Sequence, residues 1–291
     1  MNRLFITTFF TLILTVLSFG EKIKVIATIF PNYDFARNIG KEMAEVTLLL
    51  PPGVEAHSYE PTPRDMVRIT TSDILLYTGE DMEPWVHRMS RNLPDSVTIC
   101  DLSHGVNKVE DEDHGHSDPH IWTDPLLAMQ MVDNVTEAFI QADPKNREYY
   151  TQNSKAYKNK LYQLHQKIEK ELSSIDRRDV VFAGHMVFGY FAKRYDLTFT
   201  TPYRSFSPDA EPTPRRMAEL ITTIKKGGYS HIYFEELINP KSAKLIARET
   251  GAEILLLHGA HNLSKEDLKA GKSYIDIMEG NLKNLKRGLK K

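Results

Sequence analysis

The chain has 291 residues, 37 basic and 39 acidic side chains for a formal net charge of −2, 41% hydrophobic residues and a single cysteine. Interspersed charges of nearly equal number indicate no nucleic-acid-binding or polybasic membrane surface. One cysteine excludes an internal disulfide, so folding must rest on an apolar core, which a chain of this length can build as one large or two medium domains.

Residues 1–20 read as a secretory signal peptide, with a basic start at Arg3, an apolar run from Leu4 to Phe19 and a small residue, Gly20, before charge returns. The run is about 16 residues, short of the roughly 20 that a spanning helix needs. The remaining chain is therefore expected to be exported to the periplasm or another extracytoplasmic space. No cysteine lies near the expected cleavage point to carry a lipid anchor.

Strand signals then alternate with amphipathic segments. Lys24–Phe30 reads as a strand ended by Pro31, followed by a helix from about Asp34 to Gly40. Glu45–Leu50 is a second strand, stopped by Pro51-Pro52-Gly53, and a helix follows Thr62-Pro63, since proline suits a first helical position. Asp73–Thr78 and Ser96–Leu102 are further strands, the latter placing Cys100 as a buried thiol. Continuous apolar runs joined by helices indicate parallel strands covered on both faces.

From Pro144 to Ser174 no glycine or proline interrupts a repeat of Tyr157, Leu161, Leu164, Ile168 and Leu172, which predicts one long helix on the order of 40 Å with His165 on its solvated face. The alternation restarts with a strand at Asp179–Ala183, a helix from about Met186 to Tyr195, and strands at Leu197–Phe199, His231–Phe234 and Glu253–Leu257. Helices are predicted over about Lys241–Thr250 and from near Ser273. The expected fold is α/β, two lobes with parallel sheets flanked by helices and joined by one long rigid helix. The expected division is a lobe at 21–143, a connector at 144–175 and a lobe at 176–291.

Eleven histidines are present, and several fall where strands end. His57 follows the second strand, His185 follows Val180-Val181-Phe182-Ala183-Gly184, and His258 and His261 follow the last strand. His120 sits in the proline-fixed turn Asp118-Pro119-His120-Ile121-Trp122-Thr123-Asp124-Pro125. In open α/β sheets, ligands bind beyond the carboxyl ends of strands. Imidazole suits zinc, copper, iron and nickel. The wide spacing excludes a compact zinc finger. The stretch Glu110–His116 reads either as a solvated charge run or as a weak metal-collecting loop. His87, His104 and His231 read as surface or packing residues.

The segments PPGVEAHSYEPTPRD, YTGEDMEPW, DPHIWTDP, FAGHMVFGYFAKRY and FEELINPKSAKLIARETGAEILLL, with the later KSYIDIMEGNLKNL, resemble the cluster A-I solute-binding proteins of zinc and manganese ABC importers. The resemblance runs over essentially the whole chain after residue 20. It implies a metal ion held between two α/β lobes and delivered to a membrane permease, with no catalysis and a monomeric chain. It also implies His57, His120 and His185 as three ligands.

The family's fourth ligand is a carboxylate in the loop after the last strand, which here reads His258-Gly259-Ala260-His261-Asn262-Leu263. Register against the following residues selects His261 over His258, with water or a carboxylate from elsewhere as alternatives. A histidine-rich set favours Zn2+ over Mn2+. Glu55, Glu60 and Glu235 are candidates for partners behind the ligands. A zinc hydrolase would need an open metal position and a general base, and no HExxH pattern occurs.

Overall fold

The computed structural model describes residues 21–109, 117–203, 212–236 and 241–290. The segment 1–20, expected to be a leader, and the acidic stretch at 110–116 lie outside the described residues.

Strands β1 (Ile23–Ala27), β2 (Ala44–Leu48), β3 (Ile74–Tyr77) and β4 (Thr98–Asp101) form a parallel sheet in the order β2-β1-β3-β4, with Val25 opposite both Val46 and Ile74. Side chains alternate between faces, and both faces are covered. Val25, Ile74 and Leu76 enter the main core with α1 (Phe30–Gly40) and α4 (Pro125–Ala142). Ile26 and Leu75 pack oppositely, against Ile69 of α2 (Pro63–Thr70) and Trp85 and Val86 of α3 (Pro84–Ser90). That double covering explains why these strands read as unbroken apolar runs.

Around Pro31 two boundaries differ from the sequence reading. The first strand stops at Ala27, and α1 starts at Phe30 rather than Asp34. Pro31 sits in its first turn, where a missing N–H costs nothing, so it opens the helix instead of ending the strand. Thr62 and Asp65 form a reciprocal capping box on α2, as Thr62-Pro63 predicts a helix start.

Helix α5 (Arg147–Ser173) has 27 residues and follows a separate 3-10 turn at Pro144–Asn146. Its Tyr157, Leu161, Leu164, Ile168 and Leu172 are buried in the main core, alongside residues from both lobes. His165 is also buried rather than solvated, because its Nδ1 lies 3.1 Å from the hydroxyl of Tyr195, itself a core residue. The connector is thus held along its length, which gives its rigidity a packing cause.

The second lobe pairs β5 (Asp179–Val181) with β6 (Thr198–Thr200) and β7 (His231–Phe234) with β8 (Glu253–Leu256), all parallel, and a Phe182–Tyr233 bridge links the pairs. Helix α6 (Gly189–Tyr195) begins three residues later than Met186. One face of these strands packs against Leu220 and Ile224 of α7 (Pro214–Gly227) and Ala243 and Ile246 of α8 (Lys241–Thr250). The other meets the main core, which includes Leu282 and Leu285 of α10 (Tyr274–Leu289), the helix that follows the short α9 (Lys265–Lys269). Cys100 is half-buried on the edge strand β4, and burial, then Asp101, pushes its thiol up to about 12, so it is inert. Among the described residues, no helix is long and apolar enough to cross a membrane.

Candidate metal centre

His57, His120, His185 and His261 converge, each offering a ring nitrogen within 4.8 Å of those of the others. The six ring-centroid separations are 5.1, 5.2, 5.4, 5.4, 4.9 and 5.3 Å, so the rings occupy the corners of a nearly regular tetrahedron. The Nε2 atoms of His57 and His120 approach to 3.2 Å. Nε2 of His261 is buried with no hydrogen-bond partner among the described residues. A buried imidazole nitrogen without a partner is costly unless something else accepts its lone pair, and a cation does so. Trp122 walls the site, 5.4 Å from the ring of His120 and 5.3 Å from that of His261.

Each histidine arrives from a strand-end loop or a fixed turn. His57 lies on the segment after β2, His185 follows Phe182, and His261 follows β8. His120 sits on the turn before α4, where Asp124 caps the helix by accepting from the Leu126 N–H.

Behind the rings stand carboxylates. Asp118 Oδ1 accepts from the His120 N–H at 2.9 Å and contacts its Nδ1 at 2.7 Å. Glu235 Oε2 meets His185 Nδ1 at 2.8 Å. Glu236 Oε1 lies 3.1 Å from Nδ1 of His258 and 3.7 Å from Nδ1 of His261, while its Oε2 accepts from the Gly259 N–H at 2.6 Å. A carboxylate on Nδ1 sets the tautomer that leaves Nε2 as the donor.

Burial, then repulsion from the neighbouring imidazoles, holds His57 and His120 well below 6.5. Burial, then Glu236 beside it, raises Glu235 well above its ordinary value, and burial raises Asp118 to about 8. Burial would also raise Glu236, but His258 and His261 outweigh it and hold that carboxylate low.

Of the three acids singled out from sequence, Glu235 stands behind a ring. Glu55 instead accepts from the Ser58 N–H at 2.9 Å, and Glu60 pairs with Arg88 at 2.6 Å on the surface. Asp118 and Glu236 were missed. Both stand in motif segments, Asp118 two residues before His120 in DPHIWTDP and Glu236 beside Glu235 in FEELINP, but the loop that Glu236 holds lies 23 positions further on, which no local pattern gives.

His258 is buried near the cluster but not in it. Asn281 of α10 clamps its backbone on both sides at 2.8 Å, and its Nδ1 accepts from the Ala260 N–H at 3.0 Å. Ala260 takes a φ of +64°, a left-handed conformation unusual for alanine, and the chain reverses there to send His261 inward. His87 and His104 are exposed. His231 pairs with Glu253 at 3.4 Å.

Comparison with known proteins agrees with this architecture. The model of the family described as zinc-uptake complex component A, periplasmic, matches residues 25–288. The high-affinity zinc uptake system protein ZnuA of Bacillus subtilis is 37% identical over 284 residues, covering 93% of this chain and 88% of that protein. The zinc-binding lipoprotein AdcA of Streptococcus pneumoniae is 32% identical over 91% of this chain, which spans only 56% of AdcA. The crystal structure of the Zn(II)-bound ZnuA-like domain of AdcA superposes with a TM-score of 0.82, covering 93% of this chain and all of that domain. The metal-dependent lipoprotein YcdH of Bacillus subtilis also superposes at 0.82, with 37% identity over 92% of this chain and 99% of that one. The chain therefore belongs to the family of periplasmic zinc-uptake component A proteins.

Proposed function

We propose that the chain captures one zinc ion as cargo through Nε2 of His57, His120, His185 and His261 and delivers it to the membrane permease of an ABC importer. The tetrahedron of four imidazoles carries this reading, since zinc takes four nitrogen or sulfur ligands tetrahedrally. Four neutral nitrogen donors suit zinc better than manganese, which prefers oxygen. Full ligation by protein leaves no position for an activated water, so the site binds rather than catalyses. The chain works outside the cytoplasmic membrane as a monomer, with one lobe at 21–143, the connector at 144–175 and the other lobe at 176–291. In the bound state, the carboxylates of Asp118, Glu235 and Glu236 offset the charge of the cation and hold the rings that face it.

Competitive titration of the purified protein with zinc and manganese, combined with elemental analysis, tests the reading. One equivalent of zinc should bind far more tightly than manganese. His261→Ala should weaken zinc binding by roughly a hundredfold, and His258→Ala by less than about tenfold. A larger loss from His258→Ala would move the fourth ligand there.

Gly184 supplies a second check. A Cβ at this position would come within 2.6 Å of Glu235 Oε2 and 2.8 Å of its Cβ. Gly184→Ala should therefore push Glu235 away from His185 and cost roughly tenfold in zinc affinity, the scale for losing a group that orients a ligand. Unchanged affinity by the same titration would mean that Glu235 does not orient the ring.

A further inference from the structure

The loop 258–263 comes from the second lobe, yet many of its hydrogen bonds run to the first. The Phe30 N–H donates to the His261 carbonyl at 3.0 Å, and the Trp122 indole donates to the Gly259 carbonyl at 2.7 Å. The Gly53 N–H donates to the Leu263 carbonyl at 2.9 Å. At the centre of these links is Asn262, which is fully buried. Its Nδ2 donates to the carbonyls of Pro51 at 2.7 Å and Val54 at 2.9 Å, and its Oδ1 accepts from the Leu263 N–H at 2.8 Å. Two carbonyls at one end of the amide determine which end carries nitrogen, and both of its hydrogens are used.

The two carbonyls bracket a tight turn. The Val54 N–H donates to the Pro51 carbonyl at 3.1 Å, and Gly53 at the third position has a φ of +81°, as a type II turn requires. His57 stands three residues beyond this turn, and His261 immediately precedes Asn262. One side chain therefore ties the turn leading to one corner of the tetrahedron to the loop carrying another, with Val54 and Asn262 208 positions apart in the chain.

We infer that Asn262 is a positioning residue that couples His57 to His261, so that the two lobes present their ligands as one preformed pair. This rests on the zinc-capture reading. Asn262 touches no metal in this scheme. It acts by removing the need to order the His57 segment when the ion arrives, because a segment already held in its bound conformation pays less to bind.

The test is a double-mutant cycle on the full chain, with zinc affinity read by chelator competition for the wild type, Asn262→Ala, His57→Ala and the double variant. Asn262→Ala should weaken binding by roughly tenfold to a hundredfold. In the His57→Ala background the same substitution should cost less than about threefold, because the corner it positions is gone. A merely structural role would lower affinity by the same factor in both backgrounds, and that result overturns the inference. So does a loss-free Asn262→Ala in a wild type that binds zinc and depends on His57. If the wild type binds no zinc, or His57→Ala costs nothing, the capture reading itself fails and takes the coupling with it. Should Asn262→Ala not fold, Gly53→Ala strains the same turn where a Cβ meets open space. It should show the same dependence on His57, and equal losses in both backgrounds would again overturn the coupling.

Discussion

Replacing His120 with alanine should lower zinc affinity by at least a hundredfold. His120 is fully buried, and its centroid lies 4.9 to 5.4 Å from those of the other three rings. Structural zinc sites gain about 10–16 kcal/mol from four ligands, so one corner is worth about 3 kcal/mol. At about 1.4 kcal/mol per tenfold, that is roughly two orders of magnitude. The substitution also strips Asp118 of its contact with the ring while leaving the backbone bond to residue 120. An acid placed to orient an imidazole then faces a void, which adds to the loss. His104→Ala, on the exposed surface, is the matched control and should change nothing. Chelator competition reads both, and a loss below about threefold for His120→Ala would remove this residue from the site.

The second large effect concerns stability and lies away from the metal. Glu83 is buried at the end of β3, where its Oε2 accepts from the N–H groups of Thr78 at 2.9 Å and Gly79 at 3.3 Å and its Oε1 contacts the Thr28 hydroxyl. Burial raises its carboxyl from 4.5 to about 8, against the opposing pull of those hydrogen bonds. Between these two values the folded chain holds a proton that the unfolded chain has released, so stability falls as pH rises. The contribution is complete below about pH 4.5 and is lost as pH climbs through about 8. From about pH 5 to pH 8 the decline from this group alone is on the order of 3–4 kcal/mol. Glu83→Gln keeps the shape of the protonated side chain and cannot ionise. Urea unfolding at the two pH values should show a markedly smaller decline in the variant. Parallel declines in both proteins would show that Glu83 does not titrate in this range.

Much of the fold was legible because its causes are local. Unbroken runs such as Ile74–Tyr77 announced strands buried on both faces, and the three-to-four spacing of Tyr157, Leu161, Leu164 and Ile168 announced the long helix. Where reading failed, a distant neighbour decided. Pro31 could end a strand or open a helix, and the packing of Phe35 and Ile39 into the core selects the helix. His165 looked solvated from periodicity, but Tyr195, 30 residues away, gives it a buried partner.

The sequence by itself determined the α/β alternation, the placing of histidines at strand ends and the family, and it nominated His57, His120 and His185 with His261 preferred over His258 as the fourth candidate. Those follow from short-range patterns of hydrophobicity and from motifs. Only the tertiary structure decided that the four rings stand about 5 Å apart, that Asp118, Glu235 and Glu236 back three of them, and that His258 stays outside the converging group. The reason is physical. Such contacts are fixed by where a packed core sets each loop and by single bonds such as those of Asn262 to Pro51 and Val54, and no local pattern records which distant carbonyl a buried amide will meet.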